Sequence, residues 1–247
     1  MSTLPQYLIA IDDTDDIGTR GTGDIAQQLG EILAADCGGV ASPVTRHQLL
    51  VHPDIPYTSH NSAMCFALKG EISPQRLKQL ASELLETESA AAADPGLAFL
   101  CLSSFASHAA LVEFGVAAKR RVLTKDDAYQ LADTLGVHLS EHGGTGQGVI
   151  GALAGLGLRL EGNDGRLKGH YDVGQGENEL SLPVSALLAK TGVAAVIALD
   201  DTELAAEVPV LIRGKLKAVW RQGRSAILVS FRDGAWRNAG KQDLKEY

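Results

Sequence analysis

The chain has almost no cysteine, and the little it has is scattered. Cys37, Cys65 and Cys101 are its three thiols. No CxxC pair occurs, so zinc ribbons and fingers, which need clustered thiolates, are excluded. An odd, sparse set of this kind fits a reducing compartment. The N-terminus, MSTLPQYLIA, lacks a basic segment followed by a long apolar core, so no signal peptide is expected. No apolar run approaches the length of a membrane span. These absences predict a soluble, cytoplasmic protein without a membrane partner. Basic residues are also in the minority: 22 Lys and Arg against 30 Asp and Glu give a net charge of −8. A chain of that balance is no general polyanion-binding surface, although a local basic patch stays open to it.

What is present is sufficient for a core. The 247 residues are 45% hydrophobic and 21% charged, which describes one large globular domain or a domain with an appendage. The 27 glycines cluster, which favours tight loops over disorder.

One stretch organises the rest: Tyr7 to Ala26, YLIAIDDTDDIGTRGTGDIA. Tyr7 to Ile11 is an apolar run of the kind that forms a buried strand. It ends in Asp12, Asp13, Thr14, Asp15 and Asp16, then in a loop containing Gly18, Gly21 and Gly23. Four carboxylates so close together repel one another, and a hard divalent cation such as Mg²⁺ is the simplest way to neutralise them. Glycines after a strand let N–H groups approach an anion, and a following helix N-terminus favours phosphate. Metal plus polyphosphate is one reading; a solvated acidic turn with Asp and Thr as helix caps is the other.

Further along, apolar spacing predicts a helix over Asp24 to Ala35, ended by Cys37-Gly38-Gly39. Strands are expected over Ala41 to Val51, Ser62 to Leu68 and Gly96 to Ser103, with a loop from His52 to Asn61. Ser73-Pro74 opens a helix to about Glu88, with Ala90 to Ala93 as its loose end. Thr124 to Asp127 starts another helix that Gly136 closes, and Val137 to Leu139 reads as a short strand. A second glycine loop follows, Gly143, Gly144, Thr145, Gly146 and Gly148, leading into a small-residue helix. It lacks the Lys-Ser/Thr of a Walker A loop but still has the makings of a phosphate cradle. Gly162 to Gly165 reads as a hairpin turn between LRLE and RLKG. After a short helix from Pro183 and a strand over Ala194 to Leu199, alternating strands from Val208 form a small β module. IALDDTEL at Ile197 to Leu204 echoes IAIDDTDD at Ile9 to Asp16, without a glycine loop behind it. The fold class expected is α/β or α+β, mixed sheets with helices.

In the middle region, Arg46 and His47 are neighbours on a strand and point to opposite faces. With His60 and Asn61 they are candidates for binding substrate or an anion; His52 and His60 match no usual metal spacing. Cys65, between Met64 and Phe66, reads as core.

Ile11-Asp12-Asp13-Thr14-Asp15, with Thr22 and the helix from Asp24, resembles the opening IDDTD motif of the tRNA 2-agmatinylcytidine synthetases, which use ATP to activate a tRNA cytidine and join agmatine to it. The likeness recurs in His52-Pro53-Asp54-Ile55-Pro56-Tyr57 through His60-Asn61-Ser62-Ala63, where His60 stands for the family's usual Arg. It recurs again in Gly148-Val149-Ile150-Gly151-Ala152-Leu153-Ala154. The resemblance implies a kinase-like ATP-binding region with a ferredoxin-like part over residues 1–190, followed by a small α+β module over 191–247. It implies ATP and Mg²⁺ as cofactors, with Asp12, Asp13 and Asp15 on the metal. It places Thr22 beside Asp12 and Asp13 in the catalytic set. Thr14, Gly21, Gly23 and the Gly143–Gly148 loop would flank the nucleotide. The family's C-terminal zinc ribbon has no counterpart in this sequence.

These features together point to an enzyme that binds Mg·ATP and activates an acceptor by phosphoryl transfer, with Arg20, Arg46 or His47 offsetting charge. A small molecule or nucleoside is the first acceptor to consider and a structured RNA the second. The other class left open is a nucleotide-binding sensor without catalysis.

Overall fold

The run Tyr7–Asp12 forms a strand, β1, in which every residue is buried, so it lies inside a sheet covered on both faces. The structure is a computed structural model and describes residues 7–55, 60–104, 108–174, 178–245 and 247. Two compact units divide the chain, Met1–Glu161 and Gly162–Tyr247. The resemblance implies a boundary at 190/191 instead; the segment between carries Val184 and Leu187, which are buried in the hydrophobic core of the second unit.

The first unit holds β1, α1 (Thr22–Asp36), β2 (Val40–Ala41), β3 (Thr45–Gln48), β4 (Ser62–Lys69), α2 (Pro74–Glu88), β5 (Gly96–Cys101), α3 (Ala109–Ala118), α4 (Lys125–Leu135), β6 (His138–Glu141) and α5 (Gly148–Glu161). Its sheet runs β6-β5-β1-β4-β3, with β2 also on β4, and every pairing is antiparallel. Because side chains alternate along a strand, β1 feeds two cores. Tyr7, Ile9 and Ile11 meet Ile25, Leu29 and Leu33 of α1 and Leu77 and Leu85 of α2. Leu8 and Ala10 meet Leu111 of α3 and Leu153 of α5.

Local signals account for most of these elements. Ser73 caps α2, accepting from Arg76 N–H at 3.2 Å, and Pro74 takes its first position. Thr124 and Asp127 form a reciprocal capping box at α4, and Gly136 ends that helix in the left-handed conformation. The expected strand over Ala41 to Val51 is split into β2 and β3, and Ala90 to Ala93 lie in a turn after α2 has ended at Glu88.

The second unit contains β7 (Arg166–Leu167), β8 (Leu180–Pro183), α6 (Val184–Thr191), β9 (Ala195–Ala198), β10 (Pro209–Ile212), β11 (Val219–Arg221), β12 (Arg224–Arg232) and β13 (Ala235–Asn238). The strand order is β7-β11-β12-β13-β10-β8, with β9 parallel to β12. The hairpin expected across Gly162 to Gly165 is corrected: LRLE is the last turn of α5, and β7 pairs with β11. Arg159 explains the misreading. It gives LRLE a strand-like alternation, yet its guanidinium is buried and donates to Thr45 Oγ1 at 2.8 Å. The class is α+β, with mixed sheets, helices and a β-rich C-terminal module.

Candidate functional site

β1 delivers its last residue, Asp12, into a buried position beside α5. A Cβ at residue 151 would meet the Asp12 carboxyl group, so Gly151 lets that carboxyl lie against α5. Asp13 follows with φ +52, a left-handed conformation that non-glycine residues adopt uncommonly, aspartate more readily than most. Thr14 is fully buried; its C=O accepts from Ala90 N–H at 3.0 Å, while its hydroxyl has no partner among the described residues. Asp15 accepts from the Thr22 hydroxyl at 3.1 Å, and that hydroxyl in turn faces Thr14 N–H at 3.4 Å. Gly21 is the N-cap of α1, so Thr22 is the first helical residue and not the cap.

The remainder of the acidic loop is held locally. Thr19 N–H and Oγ1 both donate to Asp16 C=O, at 3.0 and 2.8 Å. Arg20 turns away from the carboxylates: it pairs with Glu88 at 3.0 Å, donates to Asp24 C=O at 3.2 Å and bonds Gln28.

Charge is the distinguishing feature. Burial, with the neighbouring Asp13 and Asp15 carboxylates, pushes the Asp12 carboxyl up to about 8. Burial, then Asp94 and Asp15, pushes Asp13 up to about 6, against a hydrogen bond from the Asp94 backbone that favours the ionised form. The echo at Ile197 to Thr202 supplies an internal comparison. Asp201, aligned with Asp13, has the same left-handed backbone at φ 72. Its carboxylate, however, takes two bonds from Arg221, at 2.6 and 2.8 Å, and is held below the usual carboxylate range. The same Asp-Asp-Thr run, with its second aspartate left-handed, thus occurs once paired with an arginine and once not. Thr202 N–H donates to Asp200, closing the second copy as an ordinary polar turn.

The second glycine loop approaches the same carboxylates through Asp94, a residue that no sequence motif singles out. Thr145 N–H and Thr145 Oγ1 both donate to the Asp94 carboxylate, the latter at 2.6 Å, and Gly148 N–H donates to Asp94 C=O at 3.0 Å. Gly144, at φ +54, has no room for a Cβ against Asp94. Gly143 and Gly146 also take positive φ. On the other side Lys125 pairs with Glu141 at 2.7 Å and donates to Thr145 C=O at 2.8 Å, and Tyr129 OH donates to Glu141 at 2.8 Å. Asp94-Pro95 before an apolar strand is the one available sequence signal, and it marks only a turn.

The middle-region residues serve other neighbours. Arg46 donates to Ser62 Oγ at 2.9 Å. His47 is buried on the opposite strand face, 2.8 Å from Thr45 Oγ1, the atom that Arg159 also contacts. Asn61 ties the loop shut through Leu50 C=O at 2.7 Å and Leu49 N–H at 2.9 Å. His60 is exposed, and Pro56 and Tyr57 of the middle motif lie outside the described residues. Cys65 is core, its thiol pushed up to about 12 by burial.

Among the described residues, no three His, Cys, Asp or Glu side chains stand close enough to form a metal cage, and no helix is long and apolar enough to cross a membrane. Magnesium does not require such a cage, because it is commonly held by one or two carboxylates together with substrate phosphates. The unneutralised Asp12 and Asp13 fit that mode.

No family model and no curated protein matches the sequence. Solved structures do match. A tRNA fluorescent labeling enzyme superposes with a TM-score of 0.53 at 22% identity, over 72% of this chain and 38% of that one. Apo TiaS, a tRNA agmatidine synthetase, gives 0.53 at 22% identity, over 68% and 41%. TiaS in complex with its tRNA and ATP gives 0.54 at 19% identity, over 83% and 50%. The chain spans half or less of the length of these proteins, and the resemblance read from its motifs to the agmatinylcytidine synthetases is met by a likeness of fold.

Proposed function

We propose that the chain is an ATP-dependent enzyme that activates an acceptor by phosphoryl transfer. The observation that supports this reading is the pair of a buried Asp12 and a half-buried Asp13, without a neutralising cation among the described residues, at the end of β1. Such a pair is suited to the Mg²⁺ that accompanies a triphosphate. The α1 N-terminus, entered through Gly21, has no side-chain cap and offers the positive end of a helix dipole to phosphate. Asp12 and Asp13 would hold the metal, with Asp15 orienting Thr22; the metal would neutralise charge on the phosphates. The chain's own contribution is positioning, which dominates phosphoryl transfer. The fold shared with TiaS, solved with ATP, supports the nucleotide.

For the acceptor, a nucleoside within RNA gains support beside a small molecule. Residues 208–245 carry nine Lys and Arg against two Asp and Glu, although the chain as a whole is acidic. In the same module Phe231 is 61% exposed and meets Trp236 edge to face at 5.3 Å, a surface on which a base could stack.

The test is calorimetric titration with ATP, with and without Mg²⁺, followed by product analysis. Mg²⁺-dependent binding with ADP or AMP released in the presence of an acceptor supports the enzyme. Binding without turnover across small-molecule and RNA acceptors favours the nucleotide sensor, and no binding overturns both.

A further inference from the structure

We propose that Asp94 is a positioning residue of this site, clamping the glycine loop with its side chain while its backbone holds the start of α5. The proposal rests on the nucleotide reading above. Its basis is that the side chain and the C=O of one residue are both used, in two directions. The Asp94 C=O takes the Gly148 N–H that opens α5. Its carboxylate takes both the N–H and the hydroxyl of Thr145, at the centre of the loop.

Asp94 is itself held firmly. Ala93 and Pro95 on either side are buried, and a residue before proline is confined to extended backbone. Pro95 C=O accepts from His142 N–H at 2.8 Å, joining the same turn to the chain just before the loop. Gly144 leaves space for the Asp94 carboxylate that any other residue would fill. A loop rich in glycine has high conformational entropy when free. One carboxylate that binds the loop twice therefore fixes where its remaining N–H groups point. This single side chain thus ties the glycine loop to the turn before β5, the strand whose first residue, Gly96, pairs with Asp12 where the acidic loop begins.

Clamp and charge can be separated by substitution. Asp94→Asn keeps an acceptor for Thr145 N–H and a donor for Thr145 Oγ1, but removes the negative charge; Asp94→Ala removes both. Mg·ATP affinity would be measured by calorimetry, and hydrogen exchange would be followed in the segment 141–150. If Asp94 positions the loop, Asp94→Ala speeds exchange there and weakens Mg·ATP by about 10- to 100-fold, the usual range for a residue that orients a ligand's direct contacts. Asp94→Asn stays close to wild type in both. Thr145→Ser retains affinity and Thr145→Val lowers it, so the proposal remains testable should Asp94→Ala fail to fold. Equal loss in Asp94→Asn and Asp94→Ala would overturn the clamp and make Asp94 an electrostatic or metal-binding residue. Unchanged exchange and affinity in Asp94→Ala would also overturn it. If wild type binds no Mg·ATP while Asp94→Ala still loosens the loop, the nucleotide reading falls and Asp94 is a structural clamp alone.

Discussion

The Thr22 hydroxyl donates to the Asp15 carboxylate at 3.1 Å from the first turn of α1, whose N-cap is Gly21. The hydroxyl therefore contributes no cap. Its bond to Asp15 is one partly buried interaction, worth about 1 kcal/mol. Its placement at the helix N-terminus, where an anion would be held, is what gives it a chemical use. Thr22→Ser is expected to retain Mg·ATP turnover, and Thr22→Val to abolish it in a folded protein. Normal turnover in Thr22→Val, measured as ADP or AMP release, would reduce the residue to a loop fastener.

The carboxylates of Asp12 and Asp13 set a pH dependence with a definite sign. Both hold their protons more tightly in the folded chain than an ordinary carboxylate does, reaching about 8 and about 6. The unfolded chain gives those protons up first as pH rises. Stability from this source is thus full below the ordinary carboxylate range and is lost progressively up to about pH 8. Melting curves between pH 5 and about 8, the upper end set by Asp12, should show the metal-free protein weakening with pH. Asp13→Asn should melt at the same temperature or higher while losing Mg·ATP affinity. A variant with unchanged affinity would remove Asp13 from the metal.

How much of this is legible in the sequence depends on range. β1, α2 and α4 announce themselves through an apolar run, Ser73-Pro74 and the Thr124–Asp127 box, all local signals. The acidic cluster is equally visible, since Asp12 to Asp16 are contiguous. The sequence places the start of α1 two residues late because Gly21 caps it without a side chain. Asp94 is invisible for a different reason. Its partners, Asp13 and Thr145, lie far away on either side, and no periodicity links them. His47 and Arg159 likewise meet at Thr45, so a polar strand residue that reads as a site candidate is buried in the unit's interior.

A second pH effect has the opposite sign. His138 is stacked on Phe99 with ring centroids 4.4 Å apart, and it reaches His142 through Ser140 Oγ at 3.1 and 2.9 Å. Burial, then Lys78 and His142, push the His138 imidazole down to about 4. The unfolded chain takes up a proton that the folded one refuses, so this contribution is complete above the ordinary histidine value. It is lost as pH falls towards about 4. His138→Gln should therefore gain melting temperature relative to the unsubstituted chain as pH falls from 7 to about 5, steepening the fall with rising pH that Asp12 and Asp13 set. An unchanged slope in the variant would show that other groups govern acid unfolding.

Binding to RNA should be salt-limited. The chain's net charge of −8 opposes a polyanion, while the nine basic residues of 208–245 attract one. Four of those nine are already engaged: Arg221 with Asp201, Arg224 with Glu203, Arg232 with Asp243 and Arg237 with Glu179. Those pairs lower the number of cations that can release counterions from phosphates, and affinity falls steeply with salt only in proportion to the number released. A gel shift with total tRNA is expected to show a complex at low salt and none of submicromolar affinity at ordinary salt. Phe231→Ala should weaken the low-salt complex if bases stack there, with little effect on its salt dependence, because stacking adds affinity without neutralising phosphate. Lys215→Ala should do the reverse, lowering the slope. A submicromolar complex at ordinary salt would mean that the exposed aromatic pair and the basic module form a full RNA-binding surface, and would make RNA the first acceptor to test. No complex at any salt would leave Phe231 without that use and direct the search to small molecules.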